Sequence, residues 1–344
     1  MRLPADVVIP ARNAQAILGP CLEALAAGRA EIDLRQIIVV DDGSTDGTAA
    51  RARVAGARVL RQPGRGPAAA RNAGARAASG EVVVFLDADC VPEPGCLAAL
   101  LAPFTDAAVT GVRGSYTSRQ RGRIARFVQL ELEEKQARML ASHEICVVDT
   151  ACAAYRRAAF WGYGGFDERF PATSAEDVDL SFRMAAAGER LVYAPAARVR
   201  HQHPDDLRRY LWRKLRFGYF RAQLYGRFPG RVQQDGYTPR LMPLQIALAG
   251  VLSAAVLLSP WVAAAPTLAL AAALGFLALS GPMVRRAWAT DRALAAFVPL
   301  LLFGRSLAQG VGLAGGLAAL WLGGLGARAA APAMGVARLG PWKR

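Results

Sequence analysis

Short apolar runs rich in β-branched residues alternate with alanine-rich segments along the first hundred residues. The runs "DVVIP" (6–10), "QIIVVDD" (36–42), "ARVLR" (57–61) and "EVVVFLD" (81–87) each precede a segment of helical composition. Strands of this length, separated by helices of about 10–15 residues, predict βαβ crossovers. Such units build a mostly parallel, Rossmann-like sheet with helices on both faces. The sequence therefore predicts an α/β domain, to which we assign residues 1–204.

Polar side chains follow three of these predicted strands. Asn13 comes after the first, Asp41 and Asp42 close the second, and Asp87 and Asp89 close the fourth. Ligands of parallel sheets bind beyond the carboxyl ends of the strands. Residues i and i+2 of an extended chain point the same way, and two like charges held side by side are costly without a cation between them. The pair at 87 and 89 therefore predicts a divalent metal site.

The balance of basic and acidic residues changes near residue 205. Residues 1–204 hold 25 Lys/Arg against 23 Asp/Glu, whereas residues 205–344 hold 17 against 4. Within 205–240, basic residues are mixed with aromatic ones, and leucines recur at 207, 211 and 215. This pattern predicts a basic amphipathic helix at a membrane interface. The alternative is a solvated basic helix docked on the first domain.

The C-terminal part is apolar enough to enter a membrane. Residues 241–284 contain no charge in 44 positions, which is room for two spans. A further apolar stretch, 293–327, contains Arg305, where we expect an interfacial or re-entrant part to end and a glycine-rich span to begin. The sequence thus predicts two or three transmembrane helices over 241–327 and a basic tail at 328–344.

The same features predict where the chain resides. Arg285, Arg286 and Arg292 follow the second apolar span and mark a cytoplasmic loop by the positive-inside rule. The amino terminus enters a strand with no apolar leader, and the five cysteines include no C-x-x-C pair, as in a reduced cytosolic domain. We expect a multi-pass protein of the cytoplasmic (inner) membrane with its first domain in the cytoplasm.

Six short motifs occur in one order along residues 5–204. They are "VVIPARN" (7–13), "IIVVDDGSTDGT" (37–48), "RGPAAARNAG" (65–74), "FLDADC" (85–90), "GGFDERF" (164–170) and "EDVDLSFR" (176–183). Together they resemble a family-2 glycosyltransferase with a GT-A fold. The resemblance implies an enzyme that transfers a sugar from a nucleotide-sugar donor.

The resemblance also assigns a donor site. The end of the first strand would line the base pocket, the acids of the second strand would contact the base or ribose, and Arg71 would approach a phosphate. The donor-binding residues predicted in this way are Pro10, Ala11, Asn13, Asp41, Asp42, Arg71, Asp87 and Ala88. Two alternatives stay open, namely a simple turn after Asp42 and a surface role for Arg71.

Asp87 and Asp89 match the D-x-D motif of the family, in which a metal bridges carboxylate and diphosphate. We expect Asp89 to carry most of the coordination and Asp87 to lie nearer the ribose. Mg²⁺ or Mn²⁺ is expected, because both favour carboxylate and phosphate oxygens. A histidine after the base helix is a further metal or pyrophosphate ligand in several such enzymes. Position favours His201 for this role, and a structural histidine is the alternative.

The "ED" pair of the last motif supplies the candidate base. The resemblance makes Asp177 the carboxylate that deprotonates the acceptor in a single inverting displacement, with Glu176 as the second candidate. The predicted acceptor contacts are a loop at Gly164, Gly165 and Phe166, together with Arg183. Because Arg183 follows Asp179 by one helical turn, an intrahelical ion pair is the alternative.

The chain lacks the Q-x-x-R-W string of processive membrane synthases. We therefore expect transfer of one sugar, to a lipid-linked or glycan acceptor held at the membrane. A processive synthase and a non-catalytic nucleotide-sugar-binding scaffold remain as alternatives. A nucleic-acid partner is not expected, because the basic residues border apolar spans. The sequence gives no indication of the sugar, the base or the oligomeric state.

Overall fold

The computed structural model describes residues 3–142, 144–170, 175–231 and 238–326. His143, which the sequence assigned no function, and the predicted tail at 328–344 lie outside these ranges. The strands are β1 (Pro4–Ala11), β2 (Asp33–Asp42), β3 (Arg58–Gln62), β4 (Val82–Leu86), β5 (Cys90–Pro92), β6 (Val109–Thr117), β7 (Cys152–Arg156) and β8 (Arg190–His201).

Twelve α-helices accompany these strands within the described ranges. They are α1 (Leu18–Ala27), α2 (Thr48–Val54), α3 (Pro67–Ala77), α4 (Cys96–Leu101), α5 (Arg123–Leu140), α6 (Arg157–Gly162), α7 (Glu176–Ala186), α8 (Leu207–Arg227), α9 (Met242–Leu258), α10 (Ala265–Thr290), α11 (Arg292–Ala295) and α12 (Val298–Gly326). Helix α7 starts with three acids in its first turn and is followed by Gly188 at φ +82°. Both features are typical of helix ends.

The eight strands form one sheet in the order β3-β2-β1-β4-β7-β6-β8-β5. The first four are parallel, as the alternating pattern predicted. Strand β7 is antiparallel to both β4 and β6, and β5 is antiparallel to β8, so the whole sheet is mixed. Buried side chains alternate between two cores, with Val7 and Ile9 on one face of β1 and Val8 on the other. The predicted α/β fold class is confirmed.

Helices α10 and α12 are long and apolar enough to cross a membrane, whereas α9 is apolar but shorter. Helix α12 runs unbroken through Arg305, so the predicted interruption at that residue is wrong. The charge is tolerated inside a helix because Arg305 is buried against Glu131 of α5, with Nη1 3.1 Å from Oε1, and against Gln245 of α9.

Helix α8 occupies the segment for which an amphipathic helix was predicted, and it lies along α12. The two helices approach closely because glycines replace side chains where they touch. A Cβ atom on Gly312 would overlap the carbonyl oxygen of Leu215, and one on Gly316 would overlap that of Tyr219. Small residues permit the same close approach between helices in membranes. The interfacial location of α8 stays a prediction.

Candidate functional site

The D-x-D acids lie in the tight connection between β4 and β5. Strand β5 pairs with the end of β8, where Cys90 is opposite His201. This pairing brings the His201 imidazole to the metal-binding candidate, with Nε2 3.6 Å from Oδ2 of Asp89. Burial raises the pKa of the Asp89 carboxyl, and the nearby His201 opposes that effect. The sheet thus assembles two groups that lie more than a hundred residues apart in sequence.

The ligand atoms of Asp89, Cys90 and His201 lie within 4.8 Å of one another. Carboxylate and imidazole together suit a divalent metal such as Mn²⁺, whereas the fully buried Cys90 thiol offers the soft ligand that such metals do not prefer. Asp89 and His201 are therefore the residues that fit a metal.

His203 orients the His201 ring. The two Nδ1 atoms are 3.0 Å apart, and Nε2 of His203 is 2.8 Å from Oε1 of Gln129. Burial lowers the pKa of His203 to about 3, so this imidazole stays neutral. A neutral imidazole can offer one nitrogen as donor and the other as acceptor, which fixes its neighbour. The structure thus brings His201 beside Asp89, while His203 contacts His201 and Gln129.

A buried guanidinium joins the D-x-D connection to the base helix. Nη2 of Arg71 lies 2.7 Å from Oδ1 of Asp87, and Nη1 lies 2.9 Å from Oε1 of Glu176. The Arg71 side chain is 2% exposed, and that of Glu176 is 1% exposed. Arg71 is thus committed to two carboxylates rather than open to a phosphate, and Glu176 is committed to Arg71 rather than open to an acceptor.

Asp177 is half-buried at the start of α7. Burial raises the pKa of its carboxyl to about 7, and the charges of Glu176 and Asp149 add to the shift. Carboxylates with pKa values raised toward neutrality are suited to accept protons. Of the two acids in the "ED" pair, Asp177 alone has the surroundings of a base.

Asp149 anchors a charged cluster that sequence reasoning missed. Oδ2 of Asp149 lies 2.9 Å from Nη2 of Arg113 and 3.0 Å from Nζ of Lys135. The Tyr116 hydroxyl donates a hydrogen bond to Oδ1 of the same carboxylate. Its residues come from β6, α5 and the segment before β7. No spacing or motif links these positions in the sequence, because only the fold of the sheet brings them together.

Asp87, Asp89 and Asp177 line one cavity of about 590 Å³. Its other walls come from α5, the end of β8, α8, α9 and α12. Polar and charged residues of these walls include Glu131, Glu134, Lys135, Arg138, Asp149, His201, His203, Arg209, Arg213, Lys214, Arg216, Arg305 and Gln309. The two predicted metal-binding acids and the predicted base therefore share a space that extends to the apolar helices.

Asp41 and Asp42 lie at the carboxyl end of β2, where the sequence placed them. Nε of Arg61 is 3.1 Å from Oδ2 of Asp41, and the Asp42 carboxylate accepts from the amides of Arg65 at 2.7 Å and Gly66 at 2.9 Å. Asp42 therefore holds the turn that leads into α3. Neither acid belongs to the lining of the cavity.

Pro10 and Ala11 end β1, and the next turn contains Asn13 in the left-handed region at φ +49°. Oδ1 of Asn13 accepts from the Thr45 amide at 2.9 Å, which ties this turn to the loop after β2. A more open hollow beside it is lined by Asn13, Gln15, Ala16, Asp46 and Arg51. Ala88 is buried between the two D-x-D acids.

The predicted acceptor residues gather elsewhere. Phe166 is buried in the core on the Val8 face of the sheet. Nδ2 of Asn72 donates to its carbonyl oxygen at 2.8 Å, and Oδ1 of Asn72 accepts from its amide at 3.0 Å. Arg183 pairs with Asp179 at 2.9 Å and donates to the carbonyls of Tyr163 and Gly165. Gly164 and Gly165 both have positive φ. The cavity lining includes none of the predicted acceptor residues Gly164, Gly165, Phe166 and Arg183. The side chains of Phe166 and Arg183 instead hold this loop in place.

The mixed sheet, the D-x-D connection and the acid-lined cavity define the GT-A class of nucleotide-sugar-binding folds. A model of "Glycosyl transferase family 2" matches residues 6–164. An uncharacterised glycosyltransferase of Mycobacterium bovis is 33% identical over 190 residues, which cover 54% of this chain and 81% of the relative. The chain belongs to glycosyl transferase family 2.

Two further proteins show how far the similarity extends. A pre-mycofactocin glycosyltransferase of Mycobacterium tuberculosis is 36% identical over 266 residues, 74% of this chain and 52% of the relative. The chain thus spans about half the length of that relative. A mannosyltransferase from Pyrobaculum calidifontis, solved with GDP-mannose and Mn²⁺, has a TM-score of 0.56 at 22% identity over 91% of this chain and 88% of its own. The latter similarity shows the fold alone.

Proposed function

We propose that this chain is a membrane-anchored, inverting glycosyltransferase that requires a divalent cation. It moves one sugar from a nucleotide-sugar donor to a hydroxyl or phosphate group of a lipid-linked acceptor. The observation that carries the proposal is the shared cavity, in which Asp87 and Asp89 meet Asp177 in a family 2 chain.

Asp177 acts as the base. An oxygen of the acceptor hydroxyl, or of its singly protonated phosphate, attacks the anomeric carbon as the bond to the diphosphate breaks, and the proton of that acceptor group passes to the Asp177 carboxylate. Burial brings the pKa of Asp177 to about 7, so about half of this group is ionised at neutral pH and most of it at mildly alkaline pH, where it is still basic enough to take the proton. The ion pair of Arg71 with Glu176 holds the start of α7 next to the D-x-D acids.

Asp89 and His201 would hold the cation, which is Mg²⁺ or Mn²⁺. When bound, it would neutralise charge on the departing nucleoside diphosphate. His203 keeps the His201 ring oriented, and Arg71 keeps Asp87 in place at the end of β4. The donor base would lie toward Asn13, Asp41 and Asp42, at the carboxyl ends of β1 and β2.

The cavity walls support a lipid-linked acceptor. Three of them are formed by α8, α9 and α12, and α12 is one of the two helices long enough to cross a membrane. An acceptor anchored beside these helices could reach Asp177 without leaving the bilayer. The similarity to a pre-mycofactocin glycosyltransferase favours a second candidate, in which pre-mycofactocin is the acceptor.

Sugar transfer by the purified full chain in detergent tests the proposal. UDP-, GDP- and dTDP-sugars are each supplied with Mn²⁺, Mg²⁺ or EDTA, and with a polyprenyl phosphate, a lipid-linked oligosaccharide, pre-mycofactocin or a soluble sugar as acceptor. We expect metal-dependent transfer to a lipid-linked acceptor and a product of inverted anomeric configuration by NMR. Retained configuration, activity in EDTA, or transfer only to soluble sugars would each contradict the corresponding part of the proposal.

Asp177→Asn probes the base directly. The amide cannot take a proton, so we expect kcat to fall by about 10²–10⁴-fold. The matched control is Glu189→Gln, because Glu189 bonds the Tyr163 hydroxyl outside the cavity, and this variant should retain activity. Full turnover by the Asp177→Asn protein would remove Asp177 from the mechanism.

A further inference from the structure

One wall of the cavity is cationic. Arg209, Arg213 and Arg216 of α8 recur at i, i+4 and i+7, so they share one face of the helix. All three line the cavity, and we call them the arginine stripe. Asp89 lines the same cavity. The stripe therefore faces the same space as the metal-binding acid.

The arginine stripe differs from the other cations of the cavity, because it forms no ion pair with a described residue. Other cations of the cavity are neutralised: Glu131 pairs with Lys214 at 2.8 Å and with Arg305 at 3.1 Å, and Glu134 pairs with Arg138 at 2.8 Å. In the part of the chain that the structure describes, no carboxylate lies within ion-pair distance of the stripe. Arg209 and Arg213 are exposed and Arg216 is half-buried, so their guanidinium groups are accessible from the cavity. Guanidinium groups without an intramolecular carboxylate are suited to bind an anion.

A second observation on α12 also points to a polar ligand. Arg305 is 3% exposed and Gln309 is 4% exposed, and both residues line the cavity. Nε of Arg305 and Oε1 of Gln309 are buried without a hydrogen-bond partner among the described residues. Buried polar atoms are normally paired. A ligand with both anionic oxygens and hydroxyl groups would satisfy these two atoms, one as donor and the other as acceptor.

The position of the cavity indicates the acceptor rather than the donor nucleoside. Asp177 lines it, whereas Asn13, Asp41 and Asp42 do not. Apolar side chains complete its walls beside the arginine stripe, namely Val128, Leu132, Trp212, Phe217 and Met242. An anion site next to apolar walls fits an amphiphile with a phosphate head group.

We propose that the arginine stripe binds the phosphate group of a lipid-phosphate acceptor, whose apolar chain lies against the apolar walls of the cavity. This inference rests on the proposed function and names the phosphate as the group by which the chain recognises its acceptor. Guanidinium groups suit phosphate because each can donate two parallel hydrogen bonds to its oxygens. A water-soluble phosphomonoester offers the same head group, and the apolar walls are the reason to favour the lipid.

Binding by the full chain in detergent micelles tests the inference without any turnover. The probes are undecaprenyl phosphate, undecaprenol, which is the same lipid without phosphate, and glycerol 3-phosphate. The variants are Arg213→Gln/Arg216→Gln and the control Arg208→Gln, because Arg208 is exposed on the same helix but does not line the cavity. Melting temperatures of the variants are measured alongside, so that only folded proteins are compared.

We expect the wild-type chain to bind undecaprenyl phosphate about tenfold more tightly than undecaprenol. The double variant should bind undecaprenyl phosphate about tenfold more weakly than the wild type. Arg208→Gln should stay within about twofold of wild type, which is the usual scale of a lost surface charge. Equally strong and stripe-dependent binding of glycerol 3-phosphate would keep the phosphate site and replace the lipid by a soluble source.

Two results would overturn the inference. One is equal affinity for undecaprenol and undecaprenyl phosphate, and the other is an equal loss in Arg208→Gln, which would indicate general attraction of α8 to an anionic surface. Sugar transfer is measured separately. A chain that binds the phosphate through the arginine stripe but transfers no sugar contradicts the proposed function alone.

Discussion

At the scale of single residues, the properties of Asp177 come from its neighbours. Burial disfavours its charge, and Glu176 and Asp149 add like charges nearby. Each of these two acids is neutralised by its own cation, Glu176 by Arg71 and Asp149 by Arg113. Asp177 forms no salt bridge with a described residue, and its carboxylate is therefore the group left to react.

This setting predicts the pH dependence of the reaction. A protonated Asp177 cannot accept the acceptor proton, so activity is present above the pKa of about 7 and is lost as the pH falls through it. We expect kcat/KM to decrease about tenfold per pH unit on the acid side. The measurement is kcat/KM from pH 5 to 9 at saturating metal. A profile that is flat from pH 5 to 8 would contradict the assignment of Asp177.

At the scale of elements, Arg71 of α3 fastens the end of β4 to the start of α7. Its ion pair with Glu176 is almost fully enclosed, whereas the Asp87 side chain is 26% exposed. Removing one partner of an enclosed pair leaves an uncompensated buried charge. The D-x-D connection and the helix with the candidate base are thus held together by one side chain of α3.

Arg71→Met tests this connection. It leaves Glu176 buried without its cation, and we expect the free energy of unfolding to fall by about 3–5 kcal/mol. Arg76→Met is the control, since Arg76 lies on the same helix with 59% of its side chain exposed and should change stability by about 1 kcal/mol or less. Denaturant unfolding compares the two. Equal stabilities would show that Arg71 is not structurally required.

The contact of α8 with α12 depends on glycine in a similar way. Gly312→Ala places a methyl group against the Leu215 carbonyl, whereas Gly315→Ala meets only Cδ2 of Tyr219 at 3.7 Å. We expect Gly312→Ala to lower stability by about 1–3 kcal/mol through overpacking and to distort the cavity wall. Thermal unfolding in detergent, with Gly315→Ala as the matched control, measures the difference. Identical melting temperatures would disprove the close contact.

At the scale of the whole molecule, the apolar helices are attached to the α/β domain through charge as well as through apolar packing. Glu131 of α5 binds Lys214 of α8 and Arg305 of α12. Apolar residues around it continue the contact, including Phe127 and Leu130 on α5 and Leu301 and Leu302 on α12. One cavity can therefore have walls from both parts.

The outer surface of these helices predicts membrane integration. Leu268, Leu270 and Leu274 of α10 and Trp321 of α12 are exposed. Such a surface is unfavourable in water and favourable in lipid. We expect the expressed chain to stay in the membrane fraction after an alkaline carbonate wash and to be released by detergent. Recovery in the carbonate supernatant would argue against integration.

Several features of this site could be read from the sequence. The spacing of Asp87 and Asp89 after a buried run predicted where two carboxylates would meet, and the "ED" pair predicted a base at the start of a helix. The first inference assumed an extended chain, whereas Asp87 and Asp89 lie in a tight connection after β4 and reach one cavity from there. The second relies on the first turn of a helix, where acids are favoured. The burial of Arg71 and Glu176 could not be predicted from local pattern. Arg71 pairs with Asp87, 16 positions away, and with Glu176, 105 positions away.

The sequence by itself determined the parallel half of the sheet, the position of the D-x-D acids directly after a buried strand and the apolar character of the last helices, because each depends on residues that lie close together along the chain. Only the tertiary structure decided that Asp149, which pairs with Arg113 and Lys135, lies near Asp177, that α12 continues through Arg305, and that the arginine stripe faces the cavity. Those outcomes depend on contacts between distant segments. Local pattern carries no information on such contacts, because the burial and pairing of a charge are set by whatever the fold brings beside it.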